Sequence, residues 1–311
     1  MTNTITTTER TNTWARIGTD VSIATTIDDV LEMANLNYTV APQKIYLANG
    51  IEVPNKVANV DDRGNIKGVV GPDYEICQNR DAFAFVNNIS DRLTFVKAGE
   101  THWGMVYVIA KLDDVNVLGD KMTPYIILQN SHNGGTTLKA TICPLRIVCQ
   151  NQFAMSFKNS TNTVRLLHTT RIHQRMAEAQ ELLADVSNYM QTFILSAEEL
   201  AMLKIDYKMA NRIIEKFFEK ALTAKSTERQ ITTVANKVNE LQTIYQNTVN
   251  TDLANFKNTG WGLVNAFSDY ITHKTPGRIT EYSDESRFYT ATFDTKLIQQ
   301  FINFMRANVI G

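Results

Sequence analysis

Between Lys121 and Ala177 the chain has no aspartate and no glutamate, yet it holds Lys121, Lys139, Arg146, Lys158, Arg165, Arg171 and Arg175. That segment carries +7 in a chain whose formal total is −1, so the remainder, with 24 basic against 32 acidic residues, carries −8. Charge separated in this way lets a near-neutral protein hold a polyanion, because lysine and arginine displace counterions from a phosphate backbone. Other absences narrow the class. No run approaches the roughly 18–20 apolar residues of a membrane span, and the first residues lack the apolar core of a signal peptide. Cysteine is scarce: Cys77, Cys143 and Cys149 are an odd number with no paired spacing, as expected of reduced thiols in a cytoplasm. No Cys-x-x-Cys or His-x3-His spacing marks a metal site, and no phosphate-binding glycine loop, dinucleotide fingerprint or kinase signature appears. We therefore expect no metal, no cofactor and no contact with a membrane. A helix-turn-helix is disfavoured, because the basic residues fall on strand-like runs.

What is present reads as α+β. Residues 1–13 are rich in threonine and asparagine and form a disordered lead-in. From 14 to 169 short strand-like runs follow one another, among them Lys44–Leu47, Asn65–Val70, Tyr74–Cys77, Trp103–Leu112, Tyr125–Gln129, Leu138–Ile142, Leu145–Cys149 and Val164–His168. Thr26 and Asp29 open an early helix with a short-armed capping box. From about 170 to 311 the period turns helical, with apolar stripes at Leu182–Phe193, Ile213–Phe218 and Val234–Tyr245, and a second capping box at Ser196 and Glu199. The expectation is a mostly antiparallel sheet with packed helices, then a helical C-terminal region, with a soft boundary near 170. The stripes exceed what one sheet face needs to be covered, so part of them is expected to serve self-association.

Three places in the basic segment could carry function. Asn130-Ser131-His132-Asn133-Gly134-Gly135 lies between two apolar runs. As a hairpin, Asn133-Gly134 supplies the two positive-φ positions of a type I′ turn. As a site, its backbone N–H groups meet a phosphate while Asn130 and His132 hydrogen-bond phosphate or base. In the run Leu145–Asn151, strand alternation puts Arg146 on one face, where with Lys139 of the preceding strand it would form a basic surface; the alternative is a carboxylate partner for Arg146. Beyond it, Arg165, His168, Arg171, His173 and Arg175 lie within eleven residues, either as a solvated edge or as an anion-binding one. Tyr125, Phe153 and Phe157 suit base stacking or a core equally well.

Several of these pieces, in this order, resemble the phage/plasmid-like protein family also called domain of unknown function 932. They are Trp14-x-x-Ile17-Gly18, Gly68–Gly71 with Tyr74 and Gln78-Asn79, Asn130–Gly134, and Arg146–Asn151. Val164-Arg165-x-x-His168-Thr169 follows, then Trp261–Asn265 with Tyr270, His273 and Arg287. The resemblance implies a role in the life of a mobile element and transfers no catalytic residue. Members often carry aspartate after the histidine, where this chain has Asn133, which weakens a metal or acid–base reading of the loop.

The expected function is non-catalytic binding of nucleic acid, single-stranded DNA above all, in replication or recombination, by annealing-type logic. Asn130, His132, Asn133, Lys139, Arg146, Asn151, Lys158, Arg165 and Arg171 are the expected contacts. Two alternatives stand beside it. One is an enzyme acting on a phosphate-containing substrate, with Asn130, His132 and Arg146 around one pocket. The other is an interaction protein that blocks a host defence.

Overall fold

A computed structural model of the chain describes residues 13–84, 86, 93–146, 151–153, 155, 163–166, 168, 186–250, 254–273, 280–293 and 295–309. The architecture is α+β. The larger sheet runs β1 (Thr19–Asp20), β5 (Thr94–Glu100), β6 (Met105–Lys111), β8 (Asp120–Ser131) and β9 (Leu138–Arg146) in spatial order, every pair antiparallel. Two short strands, β10 (Asn151–Gln152) and β11 (Thr163–Leu166), share the far side of β9, and β7 (Val115–Val117) pairs with the start of β8. A second, three-stranded sheet consists of β2 (Val40–Tyr46), β3 (Glu52–Asp61) and β4 (Ile66–Val70). The helices are α1 (Ile27–Met33), α2 (Asn79–Phe83), α3 (Val186–Met202), α4 (Tyr207–Glu219), α5 (Glu228–Asn250), α6 (Gly260–His273), α7 (Ser283–Phe293) and α8 (Thr295–Val309).

The central strands are apolar on both faces, which is why they read as near-continuous hydrophobic runs. Val106, Val108 and Ala110 of β6 join Ile126 and Leu128 of β8 and Ala140 and Ile142 of β9 in the large core, where α3, α4, α5, α6 and α8 pack. The alternate residues, Met105, Tyr107, Ile109, Ile127, Cys143 and Leu145, face a smaller core closed by Trp14 and by Phe288 and Phe293 of α7. Described residues of the helical stripes pack inside the chain: Tyr189, Phe193, Ile213, Ile214, Leu241 and Tyr245 belong to the same core as the sheet. Gln152 ties the helices to β10, since its backbone N–H donates to Thr272 Oγ1, its carbonyl accepts from Ser268 Oγ and its side chain donates to Thr292 Oγ1.

Three local expectations are revised. The capping box at Thr26 forms as read, with Asp29 N–H donating to Thr26 Oγ1 at 3.2 Å and Thr26 N–H donating to Asp29 Oδ2 at 2.8 Å. Ser196 and Glu199, by contrast, lie in the middle of α3. The apolar positions Val186, Tyr189, Met190, Phe193, Ala197 and Leu200 continue at helical spacing straight through them, and burial of that stripe outweighs a cap. Leu138–Ile142 and Leu145–Cys149 are not two strands, because β9 runs unbroken from Leu138 to Arg146. Pro144 is accommodated there opposite Pro124, so both missing N–H groups fall on one rung of the ladder. Tyr74–Cys77 forms no strand.

A basic edge, an aromatic stack and a buried polar network

The Asn130–Gly135 segment closes the β8–β9 hairpin at its inner end. Only Gly134 takes positive φ (72°) there, so the turn is not type I′. Asn133 shapes the loop with its side chain instead: Oδ1 accepts from Gly135 N–H at 2.8 Å and Nδ2 donates to the Trp103 carbonyl at 2.6 Å. The three-stranded sheet docks directly against this loop. A Cβ on Gly68 of β4 would stand 2.4 Å from Asn133 Cα, so only glycine permits the approach, and Asn59 Nδ2 donates to the His132 carbonyl at 2.7 Å.

Beneath the loop, Asn130 and His132 are buried, 0% and 2% exposed, and converge on Asn79 at the start of α2. Asn79 Oδ1 accepts from Asn130 Nδ2 and from His132 Nε2, each at 3.0 Å, while Asn79 Nδ2 donates to the Leu36 carbonyl. Because Asn79 presents oxygen to the imidazole, His132 carries its proton on Nε2 and its Nδ1 is a bare lone pair. That Nδ1 is buried without a hydrogen-bond partner among the described residues, as are Asn130 Oδ1 and Asn59 Oδ1, so three acceptors here lack a donor among them. Burial first, then the neighbouring His168 and Lys67, push the His132 pKa down to about 4. His168 repeats the arrangement: Nδ1 donates to the Glu75 carbonyl at 3.2 Å, the ring stacks on Tyr74 at 4.9 Å, and Nε2 is buried without a partner among the described residues. On the other flank, Tyr38 packs edge-on against His132, donates to Glu100 Oε2 at 3.0 Å, and lies 3.9 Å beneath Lys67 Nζ, which itself reaches Glu100 at 2.9 Å. Resemblance segments far apart in the chain, around Gly68, Tyr74, Asn79, Asn130–Gly134 and His168, meet at this one network.

The expected basic face of Lys139 and Arg146 does not form. They lie on one strand seven residues apart, an odd separation that turns them to opposite faces. Arg146 is 1% exposed and its Nε donates to Asp120 Oδ2 at 2.9 Å, with a second bond to Oδ1 at 3.1 Å. Its register partner is Met122, nine residues along β8 from Ser131, hence about 30 Å from the His132 end of the strand at roughly 3.4 Å per residue. The pocket expected to hold Asn130, His132 and Arg146 together is therefore not assembled. Lys139 pairs instead with Arg165, directly across β9 and β11. Arg165 is exposed, and Lys139 lies against α7 with Nζ 5.7 Å from the Tyr289 ring centroid and 5.4 Å from that of Phe293. Burial and then the Arg165 charge push the Lys139 pKa down. Neither cation has a carboxylate within salt-bridge distance among the described residues.

From Tyr289 an aromatic chain runs outward that the sequence reading did not single out. Trp103 meets Tyr289 edge-on at 6.1 Å and His102 at 4.7 Å, and the His102 ring stacks on Tyr282 with centroids 3.6 Å apart and planes at 19°. Glu285 of α7 accepts from the His102 backbone N–H at 3.1 Å and lies 2.6 Å from its Nδ1. His102-Trp103-Gly104, a turn with two rings between two apolar runs, is the signal that could have marked it. Of the other expected contacts, Asn151 pairs through its backbone with Arg146, whereas Lys158 and Arg171 lie outside the described residues, as does Phe157. Phe153 is core, stacked on Trp261 at 5.4 Å, and Tyr125 packs on Trp14 at 4.7 Å. Cys143 is buried in the sheet with its thiol pushed up to about 12 by desolvation, which makes it inert rather than nucleophilic.

No helix among the described residues is long and apolar enough to cross a membrane. No curated protein and no solved structure matches the chain. A family model does match, over residues 67–293, from the strand that docks on the Asn133 loop to the end of the helix that carries Tyr289. With nearly three quarters of its length inside that match, the chain belongs to the family described as Domain of unknown function (DUF932).

Proposed function

We propose that this protein binds nucleic acid, single-stranded DNA in preference, in the replication or recombination of a mobile element. The observation that carries the proposal is the Lys139–Arg165 pair. Like charges directly opposite on neighbouring strands repel, and with no carboxylate among the described residues to relieve them they call for an anion from outside the chain. A phosphate backbone tracking the β11 edge meets that need and gains from release of its own counterions. Asn130 and His132, being buried, act in this reading by holding the loop and not by touching the strand; Asn133 acts through its hold on Trp103. Phage and plasmid carriage is the expectation that the family resemblance adds.

The test is a titration of single-stranded DNA, duplex DNA and RNA across salt. Affinity for single strands is expected to fall log-linearly with salt, by roughly 0.7 in slope for each phosphate neutralised. Lys139→Ala with Arg165→Ala should lower that slope by about 1.4. Replacing Lys204 and Lys208 of the helical half removes the same charge and should leave the slope unchanged. Equal losses from both pairs would show that net charge, not this edge, governs binding.

A second reading rests on the bare Nδ1 of His132. It would make the polar network a site of proton transfer on a small substrate, without Arg146. His132→Ala would then abolish a turnover seen in the wild type, by roughly 10²–10⁴-fold. On the binding reading no such turnover exists, and the substitution changes stability alone.

A further inference from the structure

From the ring geometry beside the basic edge we infer that His102 and Tyr282 form a stacking platform for the bases of the strand whose backbone the Lys139–Arg165 pair holds. The inference rests on the nucleic-acid reading and adds to it the element that touches bases. Ring contacts connect the two places without a break: Lys139 to Tyr289, Tyr289 to Trp103, Trp103 to His102, and His102 to Tyr282. Each step spans 3.6–6.1 Å between centroids, or between charge and centroid, so the path accommodates a few nucleotides of an extended strand.

Tyr282 is 39% exposed and the His102 side chain 37%, although both are flat rings that a core could have absorbed. His102 is also held from two sides. Glu285 grips His102 through both its backbone N–H and its ring, and Trp103 braces the ring from the side. A pre-ordered aromatic surface loses little entropy when a base lands on it, and every base offers a π-face, so stacking of this kind tolerates sequence. Of the acids nearby, Glu285 is engaged with His102 and Asp284 with Arg287, while the exposed Glu281 hydrogen-bonds Tyr282 itself. Their repulsion of a phosphate is thereby reduced, and the cations lie at the other end of the path.

The experiment compares an oligothymidine with an abasic oligomer of equal length, which keeps the phosphates and removes the bases. Wild type is expected to prefer the oligothymidine by roughly 5- to 150-fold, the range of one stacked base. Tyr282→Ala should erase that preference while leaving the salt slope unchanged, and Tyr282→Phe should keep it. Trp103 fluorescence should respond to the oligothymidine, and a thymidine mononucleotide at equal base concentration should fail to displace it. Equal wild-type affinity for the two oligomers, with the salt slope intact, would overturn the platform and leave the backbone-binding reading standing. Displacement by the mononucleotide would also overturn it, in favour of a nucleotide pocket. Failure of wild type to bind either oligomer would remove both.

Discussion

Asp120→Ala is expected to cost about 3–5 kcal/mol of stability, read as a shift of the urea midpoint at unchanged slope. Asp120 accepts two bonds from the guanidinium of Arg146, which is almost wholly enclosed where β9 meets β8. Attraction between the pair offsets part of the desolvation of the guanidinium charge there. Removing the carboxylate leaves the cation buried without it, whereas removing both charges does not. The double variant Asp120→Ala with Arg146→Met should therefore recover much of the loss. A cost below ~1 kcal/mol for Asp120→Ala would mean that Arg146 leaves for solvent, and it would return Arg146 to the list of surface cations. Nucleic-acid affinity of the double variant should match wild type at every salt concentration, because this arginine faces away from the Lys139–Arg165 edge.

Acid should unfold this protein through His132. In the unfolded chain a histidine takes up its proton near 6.5, whereas in the fold His132 does so at about 4. Between those values the unfolded state holds one more proton, so stability rises with pH across the window and falls on acidification. The neutral form's advantage is complete above 6.5. It is lost progressively down to about 4, for a total of about 3 kcal/mol. His168, whose pKa is also lowered by burial, adds in the same direction. Denaturant midpoints for wild type and His132→Gln should be followed from pH 7 to 4, since other groups titrate in both proteins and cancel in the difference. The two curves are expected to converge as pH falls. Parallel curves would show that His132 is solvated or already protonated, and the tautomer assigned from Asn79 would be wrong.

Much of the fold was legible because its causes are local. The capping box at Thr26 needs only residues three apart, and the helical stripes of α3, α4 and α5 need only a period. The apolar runs Tyr125–Gln129 and Leu138–Ile142 were legible as strands and fall in β8 and β9. Errors arose where a local signal met a stronger non-local one. Ser196 and Glu199 look like a helix start, yet the stripe running past them has a sheet to cover. Asn133-Gly134 looks like a type I′ turn, yet Asn133 is occupied with Trp103 and pressed by Gly68.

The site was harder to read, for a definite reason. Absence of acids from Lys121 to Ala177 is a property of the chain, whereas a binding surface is a property of faces. Strand parity sent Lys139 and Arg146 to opposite sides, and Asp120, one residue outside the segment, neutralised Arg146. Arg165 met Lys139 because β11 folds back on β9, and His102 met Tyr282 across 180 positions because α7 closes the smaller core. Composition and period by themselves determined that the chain is α+β, that its helices carry apolar stripes, and that positive charge is set apart. Only the tertiary structure decided which cations remain unpaired and which rings stand beside them, since pairing depends on register and on helix docking, and neither is encoded within reach of the residues concerned.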